Sequence, residues 1–353
     1  MKFVYGFGKV LSPDLAQNVS LLGNKGALLC EMTSIGLNVP KGFIVSTRAC
    51  QEFFKLGKKW PNDLEKEISS ALAVLEKQTR KKFGSSENPL FVSVRSGSPV
   101  SMPGMMDTIL NVGMSDLTVE GFSRKNNNVI AALDSYLRFL QMFGKTVFGL
   151  NFDFENSFSG KTRPEPDLRK SVIQYKKIIE EKSGKILEKD YFSYLKLAVS
   201  AVFESWNTPR AAAYRKAHKI LDSFGTAVVV QEMVFGNLGN DSGTGVAFTR
   251  NPLTGEKELY GEFLFNAQGE DLVSGISPSM PIKTIETLMP NIFNELLQVS
   301  DKLEEHFCDM QDFEFTVEKG KLFILQTRPG KRSPVAALKI AKEFKAQKSK
   351  VNV

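Results

Sequence analysis

The spacing of apolar residues predicts several helices, most of them in the first two thirds of the chain. Leucine and isoleucine recur at helical spacing within 64–75, and a helix is also predicted over about 190–204. Between them, the stripes within 130–147 and 168–179 predict a helical insertion that occupies residues 115–185.

Short apolar runs between turn-forming residues predict strands on both sides of this insertion. The predicted strands cover residues 39–45, 90–95, 227–231, 244–250, 258–265, 312–318 and 322–328. Because Pro40 has no backbone N–H group to donate, we expect the run 39–45 at the edge of a sheet.

Alternation is clearest from Asp312 to Val317, where Phe313, Phe315 and Val317 would face a core. Asp312 and Glu314 would then share the opposite face, about 6–7 Å apart along the strand. Two carboxylates in this arrangement can bind a Mg²⁺ ion that also bridges nucleotide phosphates. A hairpin with solvated acids on its outer face would show the same pattern.

The turn after this strand decides which face Gln326 occupies. A two-residue loop would pair Gln326 with Phe313 and turn it toward the core. A three-residue loop, with Gly320 in the left-handed region, would place Gln326 opposite Asp312 on the carboxylate face. We predict the three-residue loop.

Composition narrows the class of protein. The chain has 353 residues, of which 42% are hydrophobic, enough for about two domains with sizeable cores. It contains no apolar run of transmembrane length and no signal peptide, so a cytoplasmic protein without a membrane partner is expected. Its three cysteines are widely spaced and predict reduced, buried thiols.

The net charge of +7 is concentrated at the C-terminus, which argues against nucleic acid as a partner. Residues 331–353 contain seven Lys or Arg residues and a single acid, Glu343, so the rest of the chain is nearly neutral. No stripe of basic and aromatic residues runs through the body.

Common nucleotide and hydrolase motifs are missing from the sequence. It contains no P-loop and no dinucleotide-binding glycine motif between a strand and a helix. Neither His218 nor His306 has the sequence context of a hydrolase triad.

Two basic residues lie where they could bind phosphate. Lys25 lies in the glycine-containing segment 23–26, a predicted loop before a helix whose N-terminal amides can hold phosphate oxygens. Arg95 lies at the end of a predicted strand. A solvated turn lysine and an ordinary exposed arginine would fit the same patterns.

The segment 101–108 has three methionines around Gly104. The methionines could fill a core. A mobile loop with backbone donors that closes over a triphosphate fits equally well.

Taken together, these segments resemble the pyruvate, phosphate dikinase family over almost the whole chain. The resemblance is carried by residues 23–26, 93–97, 101–108, 206–210, 231–236, 241–252 (DSGTGVAFTRNP), 266–271 and 310–332. It implies an α+β fold, namely an ATP-grasp nucleotide-binding domain with a helical insertion.

The implied ATP-grasp domain has two lobes. Residues 1–114 and 186–234 would form the N-terminal lobe, with the insertion at 115–185, and residues 235–332 would form a β-rich C-terminal lobe. Residues 333–353 would be a basic tail that leads toward a phosphohistidine domain and a pyruvate-binding domain. Both are implied partners that this sequence does not contain.

The resemblance implies roles for the basic residues and the methionine segment. Lys25 and Arg95 match residues that hold the ATP phosphates, and Gly104 and Thr108 match the loop that covers them. Lys25, Arg95 and Arg328 would contribute to catalysis by positioning the phosphates and neutralising their charge.

The same resemblance implies an adenine pocket and a metal site. Gln231 and Met233 match the segment that lines the adenine pocket. Asp312 and Glu314 match the acids of a Mg²⁺–phosphate site, and Gln326 matches a further polar ligand there.

The implied function is the Mg·ATP-binding half of an enzyme that converts ATP, phosphate and pyruvate to AMP, diphosphate and phosphoenolpyruvate. We expect that the chain alone does not complete this reaction. One alternative is the nucleotide domain of a phosphoenolpyruvate synthase or an antibiotic phosphotransferase, although the segments 101–108 and 241–252 favour the dikinase. Another is a non-catalytic nucleotide-binding or regulatory remnant, against which the intact Lys25, Arg95 and Glu314 argue.

Overall fold

The computed structural model describes residues 2–7, 15, 17–150, 163–184, 190–274 and 278–351, which group into two compact units. Within these residues, the first unit comprises 2–30, 40–150 and 163–233, and the second comprises 31–39 and 234–351. Helices and antiparallel sheets occur in both units, which confirms the α+β prediction.

The first unit is built around an antiparallel sheet of five strands in the order β1-β2-β7-β5-β6. The strands up to residue 232 are β1 (Val4–Gly6), β2 (Gly42–Val45), β3 (Lys82–Phe83), β4 (Pro89–Leu90), β5 (Val92–Gly97), β6 (Thr108–Val112) and β7 (Ala227–Glu232). Strands β3 and β4 form a separate parallel pair.

The prediction that the run 39–45 forms an edge strand is wrong. Strand β2 pairs with β1 on one side and with β7 on the other, so it lies inside the sheet. Pro40 precedes the strand, and its missing N–H group therefore interrupts no ladder.

The helices before residue 220 include the four predicted over 64–75, 130–147, 168–179 and 190–204. In chain order, the helices are α1 (Val19–Ser34), α2 (Thr47–Lys55), α3 (Leu64–Thr79), α4 (Asp116–Asn126), α5 (Val129–Phe148), α6 (Glu165–Ser183), α7 (Tyr191–Ser205) and α8 (Pro209–Ala217). In α3 the predicted apolar positions Leu64, Ile68, Leu72 and Leu75 are all buried. Burial of this apolar side stabilises the helix.

Helices α4 to α6 form the described part of the predicted insertion. A capping box begins α4, because the Ser115 side chain accepts from the Thr118 amide and the Thr118 side chain accepts from the Ser115 amide. Asn128 caps α5 through the amide of Ala131. Parts of the predicted insertion, at 151–162 and 185, lie outside the described residues.

The second unit contains a sheet of five strands in the order β10-β9-β8-β11-β12. Its elements are β8 (Gly243–Phe248), β9 (Tyr260–Phe265), α9 (Gly269–Ser274), β10 (Met280–Pro281), α10 (Thr284–Leu288), α11 (Pro290–Phe307), β11 (Gln311–Glu318), β12 (Lys321–Pro329) and α12 (Pro334–Val351). The predicted core positions Phe313, Phe315 and Val317 are fully buried, which confirms the alternation in β11.

The predicted three-residue turn between β11 and β12 is wrong. Glu318 pairs with Lys321, and the two residues between them, Lys319 and Gly320, have φ values of 49° and 70°. This is the geometry of a type I′ turn, which suits the twist of a hairpin.

A bulge changes the strand register beyond this turn. Phe315 pairs with Ile324, whereas Glu314 pairs with Gln326, so Leu325 is the extra residue of β12. Gln326 therefore lies opposite Glu314. The predicted position opposite Asp312 is wrong. The bulge still places Gln326 on the carboxylate face.

The C-terminal basic segment forms α12, which packs within the second unit. Ala336 and Ile340 are buried in a cluster with Met310, and Phe344 packs against it. Within the described residues, no helix is both long enough and apolar enough to span a membrane.

None of the three cysteines forms a disulfide, which confirms the prediction of reduced thiols. Cys30 and Cys50 are buried as predicted, whereas Cys308 is exposed, so the prediction of burial is wrong for that residue. Burial raises the pKa of the Cys50 thiol to about 12, although a backbone hydrogen bond at Thr226 opposes the shift. Cys50 therefore remains a protonated thiol at neutral pH and is a poor nucleophile.

Candidate functional site

Several predicted site residues of the first unit share one face of its central sheet. Arg95 in β5 lies directly opposite Thr108 in β6, and on its other side it lies opposite Val229 in β7. Gln231 is two residues beyond Val229 along the same strand and therefore points to the same face. The sheet thus brings Arg95, Thr108 and Gln231 onto one surface.

Lys25 lies beside this surface, but not in the predicted loop. Helix α1 consists of two helical stretches that meet at a kink at Gly23, which has φ 70° and ψ 161°, so Lys25 lies in the first turn of the second stretch. The amide of Asn24 donates to the carbonyl oxygen of Ser98 at 3.0 Å, just after the end of β5. A Cβ built on Gly97 would lie 3.5 Å from the Cβ of Lys25, so Lys25 is adjacent to the end of β5.

The methionine segment combines packed and exposed positions. Met102 is buried in a cluster with Trp206 and Ala211, and Met105 and Met106 pack partly against that cluster. Gly104 is exposed, has a φ of 69° and has no atom within 4 Å of the position where a Cβ would lie. Core packing thus accounts for the methionines, whereas Gly104 lies at an exposed bend.

The two residues assigned to the adenine pocket lie at the end of β7. The Gln231 side chain is buried, and its Nε2 atom donates to the carbonyl oxygen of Pro40 at 3.1 Å. The amide of Met233 donates to the carbonyl oxygen of Phe91 at 2.9 Å, and the Met233 side chain is largely buried. Both residues are therefore held firmly in the first unit.

In the second unit, four predicted site residues form one polar cluster on the hairpin. Asp312 lies opposite Arg328, and Glu314 lies opposite Gln326. The Nε atom of Arg328 donates to Oδ2 of Asp312 at 2.7 Å, and Nε2 of Gln326 donates to Oε1 of Glu314 at 3.3 Å. Asp312 is buried and Arg328 is exposed, so the cluster extends from the sheet surface toward solvent.

The oxygen atoms of this cluster suit a magnesium ion that is held partly by the protein and partly by the phosphates of a nucleotide. Among the described residues, no group of three or more His, Cys, Asp and Glu side chains could enclose a metal ion. Mg²⁺ does not need such a group, because it is usually held by one or two carboxylates together with substrate phosphates and water. Asp312 and Glu314 supply two carboxylates, and the Gln326 amide supplies a further oxygen.

Trp206, against which the methionine segment packs, is held by contacts that no sequence pattern predicted. The guanidinium carbon of Arg215 lies 4.2 Å from the centroid of the Trp206 ring. Nε of Arg215 donates to Oδ1 of Asp222 at 2.7 Å, and Nε1 of Trp206 donates to the Asp222 carbonyl oxygen at 3.1 Å. Residues 206–210 are one of the segments that resemble the family. That resemblance was the one feature of the sequence that pointed to this region.

Comparison with known proteins identifies the family to which these features belong. The model of a family described as pyruvate phosphate dikinase, AMP/ATP-binding domain, matches residues 56–285 and 279–349. These matches cover more than half of the chain and include parts of both units.

Pyruvate, phosphate dikinases are similar over nearly the whole chain. The protein from Rickettsia typhi is 46% identical over 98% of this chain and 41% of its own length. The protein from Clostridium symbiosum is 47% identical over 96% of this chain and 40% of its length. A chloroplastic protein from Flaveria trinervia is 47% identical over 96% of this chain and 37% of its length. The chain spans about two fifths of the length of these curated relatives.

Proposed function

Because the chain belongs to the pyruvate phosphate dikinase AMP/ATP-binding domain family, we propose that it is the Mg·ATP-binding part of a pyruvate, phosphate dikinase. The observation that carries this proposal is the polar cluster of Asp312, Glu314, Gln326 and Arg328 on one face of the hairpin. Its paired carboxylates suit a metal ion, and its arginine suits a phosphate oxygen.

In this proposal, Lys25 and Arg95 bind the phosphates of ATP. The support is that Lys25 is adjacent to Gly97 at the end of β5, two residues beyond Arg95, and that Thr108 lies directly opposite Arg95. A lysine and an arginine neutralise phosphate charge, and a threonine hydroxyl can donate a hydrogen bond to a phosphate oxygen. Gly104 would allow the segment 101–107 to approach the phosphates with its backbone amides, since it has no side chain to interfere.

The adenine ring would be bound at the end of β7, by Met233 and the backbone beside Gln231. The buried Gln231 amide group is already bonded to Pro40, so its role would be to fix this segment in place. A thioether side chain packs well against an aromatic ring.

Asp312, Glu314 and Gln326 would hold the magnesium ion through oxygen atoms, and Arg328 would orient Asp312. When bound, Mg²⁺ would neutralise charge on the phosphates of the nucleotide. The ion pair between Arg328 and Asp312 keeps the carboxylate in a fixed position before any ligand arrives. Arg328 is 45% exposed and could also contact a phosphate.

The chemistry of the proposed enzyme divides between this chain and other domains. The pyrophosphoryl group of ATP would be transferred to a histidine, and phosphate and pyruvate would then accept its two phosphoryl groups. The histidine and the pyruvate site would belong to other parts of a full-length enzyme. The role proposed for this chain is to bind and orient the nucleotide.

Glu314 provides a test of the metal-binding role. We expect Glu314→Gln to weaken Mg·ATP binding by about tenfold or more, because a charge-assisted contact contributes roughly 1.5–3 kcal/mol. ATP binding in the presence of a chelator should be nearly unchanged, because the lost carboxylate acts through the metal. Calorimetric titrations with and without Mg²⁺ measure both quantities.

The matched control is Glu305→Gln, an exposed glutamate in α11 of the same unit. This variant should bind Mg·ATP as the unaltered chain does. An equal loss of ATP affinity with and without Mg²⁺ in Glu314→Gln would contradict the metal-binding role.

A further inference from the structure

Arg210 in helix α8 binds the methionine segment, residues 101–108. Its Nη2 atom donates to the carbonyl oxygen of Met105 at 3.4 Å and lies 3.8 Å from Oδ1 of Asp107. The two acceptors lie on either side of Met106, so one guanidinium group holds the segment from two points.

Other residues of the segment contact buried residues within 205–211. Met102 is buried against Trp206 and Ala211, and the amide of Asp107 donates to Oγ of Ser205 at 3.3 Å. Trp206 is itself fixed by its stacking with Arg215. Arg210 is therefore the exposed part of an otherwise buried attachment.

Both ends of the segment lead to residues of the proposed phosphate site. At the start, the carbonyl oxygen of Ser98 accepts from the amide of Asn24, which precedes Lys25. At the end, Thr108 follows Asp107 and lies opposite Arg95. A change in the shape of the segment would therefore move the surroundings of both Lys25 and Arg95.

We propose that Arg210 is a positioning residue for the phosphates of ATP: by holding Met105 and Asp107, it keeps the segment 101–107 in the shape that binds them. This inference rests on the proposed function, and it assigns Arg210 a role that acts through Met105 and Asp107. The helix that carries Arg210 begins at Pro209, so the side chain projects from a defined position in the first turn.

The solvent exposure of Arg210 and Asp107 limits how strongly their ion pair stabilises the segment. Arg210 is 58% and Asp107 is 34% exposed, so their attraction is weakened by solvent. Burial raises the pKa of Asp107, and the positive charges of Arg210 and Lys145 oppose this shift. Loss of Arg210 should leave the unit folded, because the contacts of Met102 remain, but it should loosen the segment.

The first experiment follows the segment without any nucleotide. The chain has two tryptophans, Trp60 and Trp206, so in a Trp60→Phe background the tryptophan fluorescence comes from Trp206 alone. In this background, Arg210→Gln should increase acrylamide quenching of Trp206, and Arg210→Lys should increase it less. The matched control is Arg169→Gln, which removes an arginine of similar exposure in α6. Unchanged quenching in Arg210→Gln would overturn the fastening role.

The second experiment measures affinity by calorimetry with Mg·ATP and with AMP. Arg210→Gln should weaken Mg·ATP binding by about threefold to tenfold, and Arg210→Lys should restore part of it. AMP has no β- or γ-phosphate, so its affinity should be unchanged, whereas general damage would weaken both ligands. Equal losses for ATP and AMP, or no loss for ATP, would overturn the inference while the proposed function stands. If the unaltered chain binds neither nucleotide, the proposed function itself fails and the positioning role fails with it.

Discussion

Gly23→Ala is expected to lower the free energy of unfolding of the first unit by more than about 3 kcal/mol. The backbone at Gly23, with φ 70° and ψ 161°, is one that residues with a side chain rarely adopt. A Cβ at this position would overlap the carbonyl oxygen of Gly97 and lie 2.6 Å from its carbonyl carbon. Because these are backbone atoms, either α1 or β5 would have to shift, and the shift would displace Lys25. Urea denaturation and Mg·ATP titration should therefore both show a large loss.

Gly57→Ala is the matched control for this substitution. Gly57 belongs to the same unit and has a similar φ of 66°, but no atom lies within 4 Å of its Cβ position. It should cost only the backbone penalty, about 1–2 kcal/mol, and leave ATP binding intact. Equal losses in the two variants would show that the close approach at Gly97 is unimportant.

Arg250→Met is expected to destabilise the second unit by about 3–5 kcal/mol, because it leaves a buried carboxylate without its partner. Arg250 is 1% and Glu304 is 5% exposed, and they are joined by two hydrogen bonds of 2.8 and 3.0 Å. Arg250 also pairs with Glu343 of α12. Burial opposes the charge of Arg250, yet the two glutamates raise its pKa above the usual value, so it stays protonated. The melting temperature should fall clearly, and α12 should become more accessible to protease.

Two further variants separate the charge effect from simple loss of packing. Arg250→Met combined with Glu304→Leu should recover much of the stability, because no unpaired charge remains buried. Lys257→Met breaks an exposed ion pair with Asp301 in the same unit and should cost less than about 1 kcal/mol. If Arg250→Met were as mild as Lys257→Met, the buried ion cluster would contribute little to this unit.

Much of the secondary structure could be predicted from the sequence, because periodicity reports burial directly. The stripe within 64–75 became one side of α3, and the alternation in 312–317 gave the buried face of β11. Neither prediction depended on which element packs against that face.

The errors arose where long-range pairing decides the outcome. Strand β2 is internal because β7, almost 190 residues later, pairs with it. The face of Gln326 was predicted correctly from an incorrect loop length, because the bulge at Leu325 offsets the two-residue turn. A local pattern cannot distinguish a longer turn from a shorter turn followed by a bulge.

The arrangement of the candidate site also depends on long-range pairing, which local sequence patterns do not predict. The sequence indicated Lys25, Arg95 and Thr108 one at a time, and the sheet register put Arg95 and Thr108 opposite each other. Arg210 was missed as a functional candidate because its contacts lie more than 100 residues earlier in the chain. The roles assigned to the site residues stay predictions until binding is measured.

Calorimetric titration of this chain with ATP in the presence of Mg²⁺ shows whether the chain binds the nucleotide. We expect saturable binding at or below millimolar ATP, without pyruvate. Lys25→Ala or Arg95→Ala should weaken it by about tenfold or more, since each removes a charge-assisted contact of roughly 1.5–3 kcal/mol. Binding that neither substitution weakens, or no heat and no thermal shift at millimolar ATP, would contradict the account.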